Sequence, residues 1–499
     1  MSLITLFVIV PLGSAFLLPI LNKIWKGFPD WVGNLASVFL MGLSIWMIQF
    51  AQETIVYFVG HWEPVQGIPI GIALVVDGLS VLMLLIINVV AFLVMLYSIS
   101  YMSHYTDKGK YYTLFLLMLA GLNGVVISGD LFNLFVFLEI TAISSYALVA
   151  YGVEAEELEA SFKYQVLGGT ASMLILFGIA IFYHLTGTLN LADASRVLSE
   201  KTATLPLYLV SALFIAGFGL KAALMPFHAW LPDAHPSAPA PISAMLSGVV
   251  IKVLGIYALI RIFFNVLGLG TVPFFLNVLL VLGTLSMTAG SFLALGQKDF
   301  KRLLAYSSIS QIGFVAFGLG LGTTLGIVGA LFHLVNHAVS KSLLFLNSGA
   351  VDYETNNRNL LKMGGLSQKM PVTATTSLVG SLSISGLPPV SGFWSKLVIV
   401  VAAVQCEQYV LAGVAVLVSI VTLAYYMKLQ QFAFYGHLND IYQKIKEVPI
   451  AMCVAMIVLA VFSFGLGVLL IPSLREIFLD PAVKVITDGI QYSKMVLGG

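Results

Sequence analysis

Of 499 residues, 59% are hydrophobic and 9% charged, and the formal net charge is +1. A soluble domain carries roughly a quarter charged residues. A chain this apolar cannot hide its surface in water, so its solvent is lipid. The near-zero charge excludes electrostatic attraction to nucleic acid. The two cysteines, Cys406 and Cys453, each stand alone in an apolar stretch and read as small buried hydrophobes. Alone they cannot build a disulfide framework, a zinc site or an iron–sulfur site.

A helix needs ~20 apolar residues to cross the hydrocarbon core. The opening MSLITLFVIVPLGSAFLLPI lacks a basic leader and a small-residue cleavage motif, so it reads as a first membrane helix. The apolar runs predict an all-α polytopic membrane protein of about fourteen transmembrane helices. These fall at 3–21, 32–50, 72–97, 111–127, 131–151, 162–185, 207–225, 242–264, 273–294, 303–320, 325–347, 371–400, 409–435 and 449–471, with a short interfacial tail after Pro472. The polar gaps between them are too short to fold alone, so a single transmembrane domain over 1–499 is expected.

Basic residues test this count. With the N-terminus outside, 14 of the 24 Lys and Arg fall in inner loops, and 6 in outer segments: Arg196, Lys201, Arg261, Arg475, Lys484 and Lys494. That bias favours both termini outside. The remaining four, Lys221, Lys252, Lys341 and Lys396, lie inside predicted spans. The acidic run EAEELE at 154–159 reads as a solvated inner loop, with a cation-gathering mouth as the alternative. Asp77 and Asp130 lie near span ends and read as caps or mouth residues.

An ionised side chain at mid-bilayer depth costs ~2.5–3.5 kcal/mol even on the lenient insertion scale, so it faces protein, a partner or water. Glu139 sits mid-span in the fifth span, Lys221 near the end of the seventh, Lys252 central in the eighth, and Lys396 beyond a break in the twelfth. One acid cannot pair with three amines. Desolvation favours a neutral amine and a nearby carboxylate favours the ammonium, so a lysine moving between such settings can carry a proton. The competing reading is a static ion pair of Glu139 with one lysine. In the eleventh span, LFHLVNHAVSKSLLFLNSG, His333, His337 and Lys341 follow at i, i+4 and i+8 and share one helix face. They read as a proton file. A metal site lacks a third acidic or sulfur ligand nearby, and two histidines bonded structurally to neighbours are the bland alternative.

Two spans are interrupted. Pro226 and Pro232 follow Lys221, and GLPPVSG precedes Lys396. Proline removes a backbone donor, and inside a membrane the freed carbonyls need protein or water. Interrupted helices at corresponding positions of two halves point to an ion path between inverted repeats. The expected organisation is N-terminal helices in 1–110, a first repeat in 111–264, a second in 273–435, and a C-terminal helix and tail in 449–499. His228 and His235 flank the first break; His228 can hand protons to Lys221 or be a hydrogen-bonded structural histidine.

The stretches KAALMPFHAWLPDAHPSAPAPISAMLSGVVIK, KRLLAYSSISQIGF and HLVNHAVSKSLLFLNSG resemble the antiporter-like subunits of respiratory complex I, Mrp-type sodium/proton antiporters and membrane-bound energy-converting hydrogenases, over about 70–435. In length the chain resembles the D-type Mrp component most. The resemblance implies fourteen helices in two inverted five-helix repeats, helices 4–8 and 9–13, with helices 7 and 12 broken. It also implies that Glu139 pairs with Lys221, that Lys252 is the central lysine, that His333, His337 and Lys341 form a polar file, and that Lys396 is the exit lysine. Such subunits work beside partner membrane subunits in the plasma membrane of a prokaryote and carry no cofactor. Two versions of the function remain open: a secondary antiporter moving protons and sodium, and the pumping arm of a redox complex whose redox centres sit in partners. A solute transporter predicts a roomy central cavity and fewer lysines. A structural scaffold would need neither Lys221 nor Lys252 at lipid depth.

Overall fold

The structure, a computed structural model, describes residues 3–65, 67–105, 107–199 and 205–497. Helices α1 (Leu6–Ile24) and α2 (Phe28–Trp46) lead into a hairpin of β1 (Ile55–Phe58) and β2 (Ala73–Val76). Then come α3 (Gly78–Tyr101), α4 (Lys108–Ile127), α5 (Leu131–Val149), α6 (Ala155–Thr186) and the short α7 (Leu191–Ser199). The interrupted pair α8 (Leu205–Lys221) and α9 (Leu231–Ser237) follows, with α10 running Ala240–Val266. Next are α11 (Pro273–Leu295), α12 (Phe300–Gly320), α13 (Thr324–Thr355) and the second interrupted pair, α14 (Pro371–Ser385) and α15 (Ser391–Gln405). The chain ends with α16 (Tyr409–Ala433), α17 (Ile450–Gly465), and the short α18 (Pro472–Phe478), α19 (Asp480–Thr487) and α20 (Tyr492–Leu497).

Among the described residues, twelve helices are long and apolar enough to cross a membrane, and α8 and α15 are shorter apolar pieces. Several starts are set by side-chain caps. Asp77, Asp130, Asp299 and Thr323 accept the backbone N–H of Ser80, Asn133, Arg302 and Gly326, satisfying donors a helix start leaves free. The cap reading of Asp77 and Asp130 therefore holds. Helices α10 and α13 are enclosed along their length, while α1, α16 and α17 turn large apolar side chains such as Phe16, Ile420 and Val461 outward. Buried polar groups concentrate in α10, α12, α13 and α14.

Four expectations change. The fold is mostly helical but not all-α: β1 and β2 pair antiparallel with Ile55 opposite Val76, and the predicted span 72–97 begins as strand. The β-branched run before Asp77 extends until that aspartate caps α3. The run 154–159 is no loop. Helix α6 starts at Ala155, and the Glu157 carboxylate accepts the Glu154 backbone N–H at 3.1 Å. Arg261, counted with the outer segments, is buried in α10. Helix α13 runs past its predicted end at 347 to Thr355. Lys201, one of the outer basic residues, lies outside the described residues.

Two long-range pairings recur at one offset. Asp130 bridges to Asn190, and Asp299 to Asn359, each pair shifted from the other by 169 residues. The intervening helices, Ala155–Thr186 and Thr324–Thr355, both have 32 residues and share that shift.

Candidate ion-translocation site

The first cluster forms where α5, α6 and α8 meet. Lys221 is the last residue of α8, where the chain leaves the helix: Ala223 takes a left-handed φ of 56° and the Met225–Pro226 bond is cis. Prolines and this turn free the last carbonyls of α8. The Trp230 indole N–H donates to the Leu220 carbonyl at 2.9 Å, and Trp230 stacks on Tyr164 with ring centroids 4.1 Å apart. The Lys221 Nζ is thus held inside, 3.4 Å from Glu139 Oε1. It also donates to Ser172 Oγ at 3.0 Å and to Tyr146 at 3.4 Å. The Ser172 hydroxyl donates to Glu139 in turn. Glu139 keeps 26% of its side chain exposed while Lys221 is nearly sealed, so the carboxylate is the more accessible end of the pair.

Lys252 lies in a π-wound stretch of α10 (Lys252–Tyr257) and is fully buried. Its Nζ donates to the Ser247 carbonyl at 2.6 Å, and among the described residues no carboxylate pairs with it. Wider π turns are rare and gather at functional positions. Gly255, three residues on, packs against Ala222, next to Lys221. On the other flank Ser342 of α13 donates to the Ala244 carbonyl at 3.1 Å. Helix α10 therefore touches the first cluster and the helix carrying Lys341.

The second cluster is built on α13 and the second break. Lys341 donates to the Leu304 carbonyl and to the Tyr426 hydroxyl, both at 2.9 Å. His333 Nδ1 lies 2.9 Å from Ser395 Oγ, and its ring is nearly parallel to that of His337, centroids 6.4 Å apart. Both ring nitrogens of His337 and the Nε2 of His333 are buried without a hydrogen-bonding partner among the described residues. At the break, Gly386 closes α14 at φ 80° and the Pro388–Pro389 bond is cis. Lys396 then projects from α15. It is buried, its Nζ has no hydrogen-bond partner among the described residues, and it lies 4.8 Å from the Phe314 ring centroid. Buried polar atoms left without protein partners in a polar channel are places for water.

The structure thus brings Glu139 and Lys221 together, stacks His333 over His337, and sets Lys341, Lys252 and Lys396 in the same interior. It does not join His228 to Lys221: His228 is half-buried, and among the described residues no hydrogen bond or ion pair links the two. Among the described residues no group of three or more His, Cys, Asp or Glu gathers as a metal site. Sequence reasoning missed Ser172, Tyr146 and Tyr426, hydroxyls that mark no motif. It also missed Arg261, whose guanidinium holds Asp77 at 2.7 and 2.9 Å. Arg261 lies inside the predicted span 242–264, and that position was the available signal.

Residues 128–422 match the family described as NADH:quinone oxidoreductase/Mrp antiporter, transmembrane, and residues 62–112 match the N-terminus of complex I chain 5. The chain is 37% identical over 408 residues to the D-type component of the Na(+)/H(+) antiporter of Alkalihalophilus pseudofirmus, covering 81% of each. It superposes on a chain of the Mrp complex from Dietzia sp. with TM-score 0.91 and 28% identity over the whole of both chains. It superposes likewise on a chain of a membrane-bound sulfane sulfur reductase, an archaeal respiratory membrane complex, with TM-score 0.88 and 33% identity over 99% of each.

Proposed function

The chain belongs to the NADH:quinone oxidoreductase/Mrp antiporter family, and we propose that it moves protons along a buried Glu/Lys/His relay as the D-type component of a multisubunit sodium/proton antiporter. It is a polytopic ion-translocating antiporter-like subunit that works beside other membrane subunits. The relay runs from Glu139 and Lys221 through Lys252 to Lys341, His337 and His333, and leaves by Lys396. The observation that carries this reading is the charge count. Of five buried lysines, Lys221, Lys252, Lys301, Lys341 and Lys396, only Lys221 has a carboxylate partner among the described residues. A static structure would pair or remove the others; a proton relay needs amines that can be neutral at one moment and charged at another.

Several finer statements go with it. The interrupted pairs α8–α9 and α14–α15 each cross once, completing fourteen spans in one transmembrane domain. The shared 169-residue offset of the Asp130–Asn190 and Asp299–Asn359 bridges supports two repeats, and their breaks beside Lys221 and Lys396 support an inverted arrangement. The chain lies in the plasma membrane of a prokaryote with both termini outside, in contact with lipid. It holds no cofactor of its own. A second reading, the ion-pumping arm of a redox-driven complex, is favoured by the similarity to a chain of the sulfane sulfur reductase complex. Redox centres would then sit in partner subunits, and gentle extraction followed by identification of the co-purifying chains separates the two.

The relay is tested by Glu139→Gln and Lys221→Met in the assembled complex, reconstituted in vesicles. Each variant is expected to assemble and to lose ion transport. Transport at the normal rate by either overturns the relay.

A further inference from the structure

Helix α13 carries its histidines and Lys341 on one face and a second polar set beside them. Asn336 and Ser340 each stand three residues after a histidine, about one sixth of a turn round the helix. There they meet the second break. Asn336 Oδ1 accepts from the hydroxyls of Ser340 at 3.3 Å, Ser383 of α14 at 3.0 Å and Ser391 of α15 at 2.5 Å. Ser340 Oγ also lies 3.0 Å from Ser383 Oγ and 2.7 Å from Ser463 Oγ of α17. The Ser391 hydroxyl donates to the Ser463 carbonyl at 2.6 Å. All five residues are fully buried. Six oxygens from four helices thus converge where α14 gives way to α15.

Serines on membrane helices often bond across to a neighbouring helix, and one or two such bonds mean only packing. This group goes further. A carbonyl oxygen has two lone pairs, yet three hydroxyls crowd Asn336 Oδ1. Its Nδ2 is buried with no partner among the described residues. An amide donor so placed is costly unless a bound molecule such as water meets it, and a water there has a second lone pair to turn inward. The backbone is shaped to the group. A Cβ on Gly392 would fall 1.6 Å from the Ser383 carbonyl oxygen and 3.0 Å from Asn336 Nδ2, so only glycine lets α15 start this close. Among the described residues no lysine, arginine or histidine nitrogen hydrogen-bonds to the six oxygens: Lys341 is turned to Leu304 and Tyr426, and His333 to Ser395.

Neutral oxygens gathered at an interrupted membrane helix are ligands for a small hard cation. They include no base, so they do not take up a proton as an imidazole or amine does. Ions of calcium's size, sodium among them, hold oxygens at about 2.3–2.6 Å, which sets neighbouring oxygens of an octahedron about 3.3–3.7 Å apart. The bonded neighbours here stand 2.5–3.3 Å apart, so an ion spreads the shortest contact by about 1 Å. We propose that this cage binds one sodium ion, beside the proton file rather than within it. The proposal rests on the antiporter reading and gives its second ion a place in this chain. Ser340 adjoins Lys341 in α13, and Ser391 shares the first two turns of α15 with Lys396. A sodium ion in the cage and a proton on Lys341, Lys396, His333 or His337 repel one another across a dry interior. Sodium therefore enters as a proton leaves, one charge for one, and no electrons change hands.

The test uses the intact complex: binding of radioactive sodium in detergent, and the sodium concentration that half-saturates exchange in vesicles. Asn336→Asp, which puts a carboxylate in the same volume, should tighten sodium binding about tenfold or more. Ser340→Ala with Ser463→Ala should weaken it about tenfold or more and raise the half-saturating concentration alike. Where the double variant fails to assemble, Asn336→Asp and Ser463→Ala alone decide. Sodium affinity unmoved by the variants that assemble, or no saturable sodium binding by the wild-type complex, overturns the proposal. Where the complex carries no sodium across the membrane yet Asn336→Asp tightens its binding, the antiporter reading fails and the cage stands. Where Glu139→Gln is silent and sodium affinity is unmoved by the cage variants, the cage fails and the relay stands.

Discussion

Arg261 and the five buried lysines are all basic side chains in the interior, and their chemistry separates them. A guanidinium stays charged at any accessible pH, and here its fork meets both oxygens of Asp77. Ser80, Tyr257 and Asn265 supply further partners, and Tyr492 of α20 covers its face at 5.3 Å. This is a permanent strut that ties α3, α10 and the C-terminal segment together. Lysine amines can give up the proton, and Lys252, Lys341 and Lys396 stand without carboxylates. Arg261→Met should therefore cost stability, about 3–5 kcal/mol, because Asp77 is left as a buried unpaired charge. Pairing it with Asp77→Asn should restore much of the loss. Thermal unfolding of the purified complex in detergent reads both, and an unshifted single variant would contradict the strut. Lys221, Lys252, Lys341 and Lys396 were legible in the sequence because each interrupts a long apolar run. Arg261 does so as well, but sits near a span end, where the position of a boundary decides whether a charge looks buried.

The two breaks do for the helices what the lysines do for the path. Ending α8 at Lys221 and starting α15 just before Lys396 brings side chains and irregular backbone to the same depth. Gly386 shows how narrowly the second break is built. Its φ of 80° suits glycine, and a Cβ there would stand 2.9 Å from Lys396 Cδ. Gly386→Val should cost about 1–2 kcal/mol in backbone conformation and displace the Lys396 side chain. Transport should fall more steeply than the yield of assembled complex, measured side by side. Equal, wild-type transport would show that the lysine need not stand where it does. Pro226, Pro232 and GLPPVSG announced both breaks, since proline cannot continue a ladder of backbone bonds. The β1–β2 hairpin was hidden: hydropathy over 72–97 is continuous, and apolar length alone does not tell a strand that feeds a helix from the helix itself. The reach of α6 and α13 beyond their apolar cores was hidden likewise, because polar first and last turns read as loop.

The two proposed halves meet in three ways. Near the starts of α6 and α12, Asp233 of the first proposed half reaches Arg302 of the second at 3.2 Å. That pair is partly exposed and worth ~0–1 kcal/mol, so it aligns the halves more than it holds them. The cohesion comes from the enclosed packing of α10 against α13. The third connection is polar and internal. Among the described residues no hydrogen bond spans the gap from Lys252 of α10 to His333, His337 and Lys341 of α13, and both ring nitrogens of His337 and the Nε2 of His333 are left without partners. The two lysine-bearing breaks were legible in outline from their prolines. The unsatisfied imidazoles were not, since whether a histidine finds a partner depends on packing that pattern does not carry. Continuity across this gap decides whether the buried amines act as a relay or as separate ion sites. A map of the assembled complex fine enough to show bound water tests it directly. The account predicts ordered waters bridging Lys252, His337, Lys341, His333 and Lys396 into one hydrogen-bonded file. A dry, apolar plug between Lys252 and His337 would contradict it.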